Sequence, residues 1–401
     1  MRSDRHENEM ARQDDAPPML EHPLVPAGEP VLVNTAPDLG RLIDDLRSAG
    51  CFGYDSEFIG EHSYYPQLCV IQVGTDERIW LIDPLARLDL TPFWELLADA
   101  SVQKIVHCGT QDLEPVLRHL NRPPQNTFDT QIAAAFMGMD YPCGLTRLVN
   151  DLQGAELGRE LKFTQWDRRP LSQVQLCYAA NDVRYLPLLL QTMTRELSAV
   201  GNAASALAEC DHLSTAAHYR LDTDSQALRV RSAETLDATQ HAVLRALIGW
   251  REGAAREQDT PPRSLVKDKV LVSLSRAPAR STEALRTVGG LPRPVKRDYG
   301  QAIVDAIRAA LDQPIDETRS RVFNPYSHRR RIESCWSAVQ ERCVDNTIAP
   351  AVVTNKKQIG LLIRSAAENV VCPDGPTARL LTGWRWELLR PVLEPLGIHG
   401  T

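Results

Sequence analysis

Phe52-Gly53-Tyr54-Asp55-Ser56-Glu57-Phe58 reads as a buried strand carrying two carboxylates at i and i+2. Side chains alternate across a strand, so Asp55 and Glu57 share one face. Two acids side by side in an apolar strand repel each other and lose hydration, which calls for a cation between them. A divalent ion with oxygen ligands is the simplest repair. Two more carboxylates are candidates to complete such a site. Asp112 lies in Ile105-Val106-His107-Cys108-Gly109-Thr110-Gln111-Asp112-Leu113, where a strand ends and a Gly-containing turn leads into a helix. An acid at that place also serves as an N-terminal cap. Asp182 lies inside an apolar helix expected from Ser172 to Met193, with Tyr178 four residues earlier on the same face. Flanked by Leu176, Val183 and Leu186, Asp182 needs a partner, and the i+2 spacing points Arg184 elsewhere.

Positioning these groups takes a sheet and covering helices. Val31 to Asn34 reads as a short strand, and Leu39, Leu42, Ile43 and Leu46 give Asp38 to Ala49 a helical stripe. Leu68 to Gly74 and Arg78 to Asp83 are apolar runs parted by Thr75-Asp76-Glu77, which predicts a hairpin. Phe93 to Ala100 is helical, Lys104 to His107 a strand, Asp112 to Leu120 a helix, and Thr127 to Asp129 a strand or turn before helix Thr130 to Met137. From Leu145 onward helices take over, so the sheet is mixed and helix-covered.

At 401 residues the chain is long enough for two or three domains. Its 43% hydrophobic and 24% charged content is that of a soluble globular protein. No apolar run approaches a bilayer span, so no membrane role is expected. Residues 1–29 are polar and Pro-containing without an apolar core, which predicts a disordered tail rather than a secretory signal. The nine cysteines are scattered, with no Cys-x-x-Cys pair, which argues for a reducing cytoplasm and against zinc or a disulfide framework. Net charge is −7 overall but uneven. Residues 1–237 hold 20 Lys and Arg against 35 Asp and Glu; residues 238–312 hold 13 against 8, and 313–401 hold 12 against 9. An acidic front and a basic back suggest chemistry first and polyanion contact second.

Residues 201–237 read as a linking helix and turn. Beyond Thr239 no convincing strand follows, but the chain echoes itself. Thr260 to Leu271 lines up with Ile348 to Ile359; each copy leads into a helix, with Arg276 and Arg364 in step and Gly290 or Gly383 in the following loop. Two small helical modules are expected, over 238–314 and 330–396.

Asp-x-Glu on a strand, an Asp opening a later helix and Tyr-x-x-x-Asp on a final helix resemble the DEDDy class of 3′–5′ exonucleases. Within it, the chain is similar to the ribonuclease D family. Tyr54-Asp55-Ser56-Glu57, Phe128-Asp129-Thr130 and Trp166-Asp167-Arg168-Arg169-Pro170-Leu171 before Tyr178-Ala179-Ala180-Asn181-Asp182-Val183 carry the likeness. The basic module resembles the HRDC domain that follows the nuclease there, and the echo a second, degenerate one. The likeness spans about residues 30 to 395.

The resemblance implies an α/β, ribonuclease H-like exonuclease domain over 30–200, a mixed sheet with helices on both faces, followed by two all-α HRDC-like modules. It implies that Asp55, Glu57, Asp112 and Asp182 hold two Mg²⁺ or Mn²⁺ ions, and that Tyr178 orients the attacking water. A four-carboxylate, all-oxygen set suits two hard cations. Substrate would be the 3′ end of RNA, tRNA precursors being the family's substrate class; no obligate protein partner is implied. Phe58, Tyr64, Tyr65 and Gln67 follow the first motif and are candidates for the terminal nucleotide. Lys162, Gln165, Trp166, Arg168 and Arg169 form a basic loop suited to phosphate contact and stacking, with Trp166 equally suited to anchoring the loop. His107 is either a buried strand-end residue or a supporting group near the site, and Asp129 reads as a helix cap. In the helical modules Arg263, Lys267, Lys269, Arg293, Lys296, Arg297 and Arg329 to Arg331 either track phosphates or form a solvated face. A DNA exonuclease of the same fold and an inert nucleic-acid scaffold are the competing readings; the presence of all four acids and the tyrosine argues against the latter.

Overall fold

The computed structural model describes residues 22–60, 63–158, 161, 164–313, 328–367 and 377–400. They fall into two compact units. The first takes in Met1–Ile59, Leu68–Arg220 and Cys343–Val352, the second Gly60–Gln67, Leu221–Arg342 and Val353–Thr401.

The first unit is built on a six-stranded sheet in the order β1-β4-β3-β2-β5-β6. Its strands are β1 (Val31–Val33), β2 (Cys51–Ile59), β3 (Gln67–Gly74), β4 (Ile79–Ile82), β5 (Gln103–Val106) and β6 (Thr127–Asp129). β1 runs parallel to β4, β2 to β5 and β5 to β6, while β3 and β4 are antiparallel, so the sheet is mixed as the sequence implied. The expected hairpin closes through Thr75, whose N–H reaches the Arg78 carbonyl (2.9 Å) and whose hydroxyl accepts from the N–H groups of Glu77 and Arg78 (both 3.2 Å).

Helices cover both faces. On one side lie α1 (Ala36–Ala49), α2 (Thr91–Leu97) and α3 (Thr110–Leu120), enclosing Phe52, Tyr54, Ile71 and Val73. The stripe Leu39, Leu42, Ile43 and Leu46 of α1 is buried as its spacing required. α4 (Thr130–Ala135) and α5 (Leu145–Gln153) follow, then α6 (Gln173–Arg184), α7 (Leu186–Ala199) and α8 (Ala203–Cys210). Ser172 starts α6 with a reciprocal capping box to Gln175.

The single helix expected from Ser172 to Met193 is two. Pro187 has no N–H to give the Val183 carbonyl, and its ring crowds that oxygen, so the chain breaks at Tyr185. The Val183 carbonyl turns to the sheet instead. A Cβ on Gly53 would lie 3.0 Å from it, and one on Gly74 3.1 Å. Two strand glycines, together with buried Ala179 and Ala180, therefore let α6 lie close on the sheet.

The N-terminal segment also differs from expectation. From residue 22 the chain is laid against this unit rather than forming a tail to Glu29: Val25 is buried, and the buried Arg184 guanidinium donates to the carbonyls of Pro26 and Gly28. Residues 1–21 lie outside the described residues. Residues 343–352 belong here as well. Ala349 N–H donates to the Ala135 carbonyl (2.7 Å), and Asn202 Nδ2 bridges the carbonyls of Phe136 (2.9 Å) and Asn346 (2.8 Å).

Apart from Gln67 at the start of β3, the second unit holds no strand among its described residues. It contains α9 (Thr223–Arg229), α10 (Ala238–Glu257), α11 (Pro262–Leu265), α12 (Asp268–Arg276), α13 (Thr282–Thr287) and α14 (Arg293–Asp312). A second series follows: α15 (Arg329–Asp345), α16 (Pro350–Val353), α17 (Lys356–Ala367) and α18 (Gly383–Leu393), of which residues 343–352 fall in the first unit. α10 buries Val243, Leu244, Leu247 and Ile248 against Leu271, Ile303 and Ile307.

The echo is visible in the backbone. The ends of α10 and α15 (257 and 345), the starts of α11 and α16 (262 and 350) and the starts of α12 and α17 (268 and 356) are each 88 residues apart. Each series also ties down the end of its short helix with a buried arginine: Arg251 reaches the Val266 carbonyl (2.9 Å), and Arg385 the Val353 carbonyl (3.1 Å).

Candidate active site

β2 and α6 build the centre. The Gly53 position faces Val183 and Leu186, so by alternation Asp55 and Glu57 also face α6 and α7. Ligand oxygens of Asp55, Glu57 and Asp182 all lie within 4.8 Å of one another. Tyr178 is one turn before Asp182, its ring 6.1 Å from that of Trp166.

Asp112 arrives from the other face. It stands in the first turn of α3, and its Oδ1 accepts from the Ser56 hydroxyl (2.6 Å), while its carbonyl accepts from the Tyr54 hydroxyl (2.7 Å). It lies outside the tight triangle, yet its charge is felt at both Asp55 and Glu57. The turn before it is clamped by Asp129. That buried carboxylate accepts from the N–H groups of Cys108 and Gly109 (both 3.1 Å), Gln131 (2.9 Å) and Ile132 (3.4 Å), capping α4 and fixing the entry to α3 together.

The electrostatics are those of an anion cluster. Burial, then the charges of Asp112, Asp182 and Glu57, pushes the Asp55 carboxyl well above the usual carboxylate range. Burial and then Asp112 raise Glu57 to about 7. Burial also raises Asp112 to about 6, although the Ser56 hydroxyl works against it. Such groups cannot all ionise side by side unless a cation joins them. An all-oxygen, all-carboxylate donor set fits a hard divalent ion and offers no sulfur or imidazole to favour zinc.

The chain is similar to known proteins. Residues 30–198 match the 3′-5′ exonuclease family model and residues 240–307 the HRDC domain model. A ribonuclease D of Granulibacter bethesdensis is 32% identical over 362 residues, covering 89% of each chain. The ribonuclease D of Escherichia coli is 29% identical, covering 91% of this chain and 97% of its own. The crystal structure of Escherichia coli RNase D, described as an exoribonuclease involved in structured RNA processing, superposes with a TM-score of 0.75 over 92% of this chain and 99% of that one. The chain belongs to the ribonuclease D family. It is a 3′–5′ exoribonuclease, and the exonuclease family to which its front half belongs is metal-dependent.

Within this ribonuclease D fold Arg169 and Tyr64 take places other than those expected, and Trp166 takes the anchoring one of its two. Trp166 is buried at 4% exposure among Cys69, Val70, Leu81 and Ala179, so it anchors its loop and backs Tyr178; a base cannot stack on it. Arg169 is consumed by structure: it grips Asp83 with two hydrogen bonds (both 2.7 Å) and also donates to the carbonyls of Cys69, Trp166 and Arg168. Tyr64 lies in the second unit, bonded to Glu252, Arg256 and Asp259 rather than open to a nucleotide. His107 hydrogen-bonds Thr130 Oγ1 (2.9 Å) beside Asp129, and burial lowers its pKa. Phe58 is half-buried on the Ser56 face of β2; Tyr65 is half-buried, and Gln67, Gln165 and Arg168 are exposed. Lys162 lies outside the described residues.

In the helical unit Lys296 donates to the carbonyls of Arg286 (2.9 Å) and Val288 (2.8 Å), closing α13, while Arg263 pairs with Asp268 and Arg297 with Asp298. Lys267, Lys269 and Arg293 remain exposed.

Ser56, Tyr54, Gly53, Gly74 and the double clamp by Asp129 escaped the sequence reading. Ser56 sits between two acids on a strand, and alternation alone sends it away from them. Only the path of α3 across the far face shows that it meets a third acid.

Proposed function

We propose that this exoribonuclease holds two Mg²⁺ or Mn²⁺ ions on Asp55, Glu57, Asp112 and Asp182 and releases 5′-nucleoside monophosphates from a free RNA 3′ end. The observation that carries this is the convergence of Asp55, Glu57 and Asp182, three carboxylates drawn from a strand and a helix. When bound, the ions supply an activated water and charge stabilisation at the leaving 3′ oxygen. The chain's own residues do the positioning. Asp55 and Glu57 present oxygens from a rigid strand, and the close approach of α6 brings Asp182 to them. Ser56 holds Asp112 ready at the far side. Tyr178, backed by Trp166, orients the attacking water; a phenol is a weak base near neutral pH, so orientation comes before proton transfer.

Structured RNA, with tRNA precursors foremost, is the substrate class this reading favours. The exposed Gln165 and Arg168, with Phe58, Tyr65 and Gln67, are the groups proposed to meet it, and Lys162 is a further candidate. The proposed layout is a nuclease domain over 30–200, an HRDC domain over 238–314 and a second HRDC-like module over 330–396. No described helix is long and apolar enough to cross a membrane. The cysteines of the described residues are free thiols, in keeping with a cytoplasmic enzyme.

A labelled tRNA carrying a 3′ trailer, incubated with and without Mg²⁺ beside Asp55→Ala, tests the reading. Stepwise release of nucleoside monophosphates only by the wild type with metal is expected. Trimming that survives chelation, or that persists in Asp55→Ala, would overturn it.

A further inference from the structure

The segment 22–29 is fastened to both ends of α6, the helix that carries Tyr178 and Asp182. At the start of that helix Gln173 Nε2 donates to Glu29 Oε1 (2.9 Å). At its end the buried Arg184 guanidinium spans three acceptors: the Asn181 side-chain oxygen (3.0 Å), the Pro26 carbonyl and the Gly28 carbonyl (3.2 Å). The His22 ring stands edge-on to the buried Tyr185, ring centres 5.9 Å apart, and Val25 is buried. All of these residues lie in the nuclease unit. Burying a guanidinium forfeits its hydration, and a residue that merely filled space there would be apolar.

Asp182 stands in the last turn of α6, two residues before the helix ends. The last turn of a helix lacks the hydrogen bonds that hold its middle, so its side chains are the least fixed by the helix itself. Asp182 also has a force to resist, because its carboxylate lies within 4.8 Å of those of Asp55 and Glu57, and like charges push apart. Val183 rests on the sheet at Gly53 and Gly74, and the next residue ties the same turn to 22–29. We propose that Arg184 is a positioning residue: it fastens the last turn of α6 to segment 22–29 and so holds Asp182 at the spacing from Asp55 and Glu57 that a divalent ion needs. This rests on the metal-dependent reading above.

The test uses the full chain without RNA, titrated with Mn²⁺ in a calorimeter, comparing wild type, Arg184→Met, Arg184→Lys and Asp182→Ala. Arg184→Met keeps the length of the side chain but none of its donors, and is expected to weaken Mn²⁺ binding about tenfold. Arg184→Lys keeps the charge without the fork that spans three acceptors; it is expected to weaken binding about threefold, and it carries the test if Arg184→Met does not fold. In turnover assays the Mn²⁺ needed for half-maximal kcat should rise by the same factors. At saturating Mn²⁺, kcat should return to within about twofold of wild type, with KM for RNA unchanged. Backbone hydrogen exchange should speed up across 22–29 and 181–185 in both variants. Wild-type Mn²⁺ affinity in the folded fraction of both variants, or of the one that folds, would overturn the proposal, as would a loss of kcat that saturating Mn²⁺ does not restore. A wild type that binds no Mn²⁺ would overturn both the proposal and the reading beneath it. A wild type that binds Mn²⁺ and loses it in Asp182→Ala, with the Arg184 variants unaffected, overturns the proposal alone.

Discussion

Acids at two places in the nuclease unit have opposite surroundings. Asp129 sits at the end of β6 with four backbone N–H groups on its carboxylate, so its charge is spent on joining two helix starts. Asp55, Glu57 and Asp182 gather against one another, and burial and mutual repulsion push Asp55 and Glu57 upward. A carboxylate that has found protein donors holds the fold; one surrounded by other carboxylates is poised for a cation. The same residue type, in the same sheet, thus does structural work in one place and is proposed to do chemical work in the other.

Mutations at the two places should separate these roles. Asp55→Ala is expected to lower kcat on RNA on the order of a thousandfold or more, while the metal-free protein melts no lower than wild type because one repelling charge has gone. Steady-state turnover beside calorimetry checks this, and a large loss of stability would blur the contrast. Asp129→Ala should do the reverse. Stranding its N–H groups is expected to cost about 3 kcal/mol in urea denaturation, with activity per folded molecule far better kept than in Asp55→Ala. Asp129→Asn should fall between the two, since its amide would face the Gly109 N–H.

A smaller effect is expected at Tyr178, the residue proposed to orient the attacking water. Tyr178→Phe should lower kcat about 10- to 100-fold with KM little changed. Equal loss in KM would instead make it a binding residue.

The mildest test is pH. Glu57 titrates near 7 in the folded protein, against an ordinary value of 4.5. Between those values the folded state binds more protons than the unfolded one, so stability falls as pH rises through the window. In chelator, wild type should lose about 2 to 3 kcal/mol between pH 5 and pH 8. Glu57→Gln should flatten that slope, and Mn²⁺ should remove it. A wild type that gains stability with pH in chelator would contradict the repulsion described here.

The sheet and its helices were legible because their periods are local. The Leu39, Leu42, Ile43 and Leu46 stripe, the Thr75 hairpin and the Asp55–Glu57 pair each depend on neighbours within one turn or one strand. The echo of Thr260 to Leu271 in Ile348 to Ile359 was equally readable, and the 88-residue spacing of their helices reflects it. Side chains whose job depends on a distant neighbour were not readable in this way. From sequence Arg169 looks like a basic-loop residue suited to RNA and Trp166 suits stacking and anchoring equally, but the loop folds back on Leu81 and Asp83, and both become fasteners. Tyr64 and Tyr65 are adjacent and chemically identical, yet α10 claims the first.

The same division holds at the acid strand. Its sequence alone determined that Asp55 and Glu57 share a face and need a cation, because strand alternation and charge repulsion are properties of the segment itself. That Asp182 reaches them depended on tertiary structure: Pro187 breaks the helix, and Gly53 and Gly74 leave room for Val183 on the sheet. That Asp112 arrives by way of Ser56 was likewise settled by the path of α3 over the opposite face. Packing distances between elements far apart in the chain are set by how their surfaces meet, and no single segment carries them.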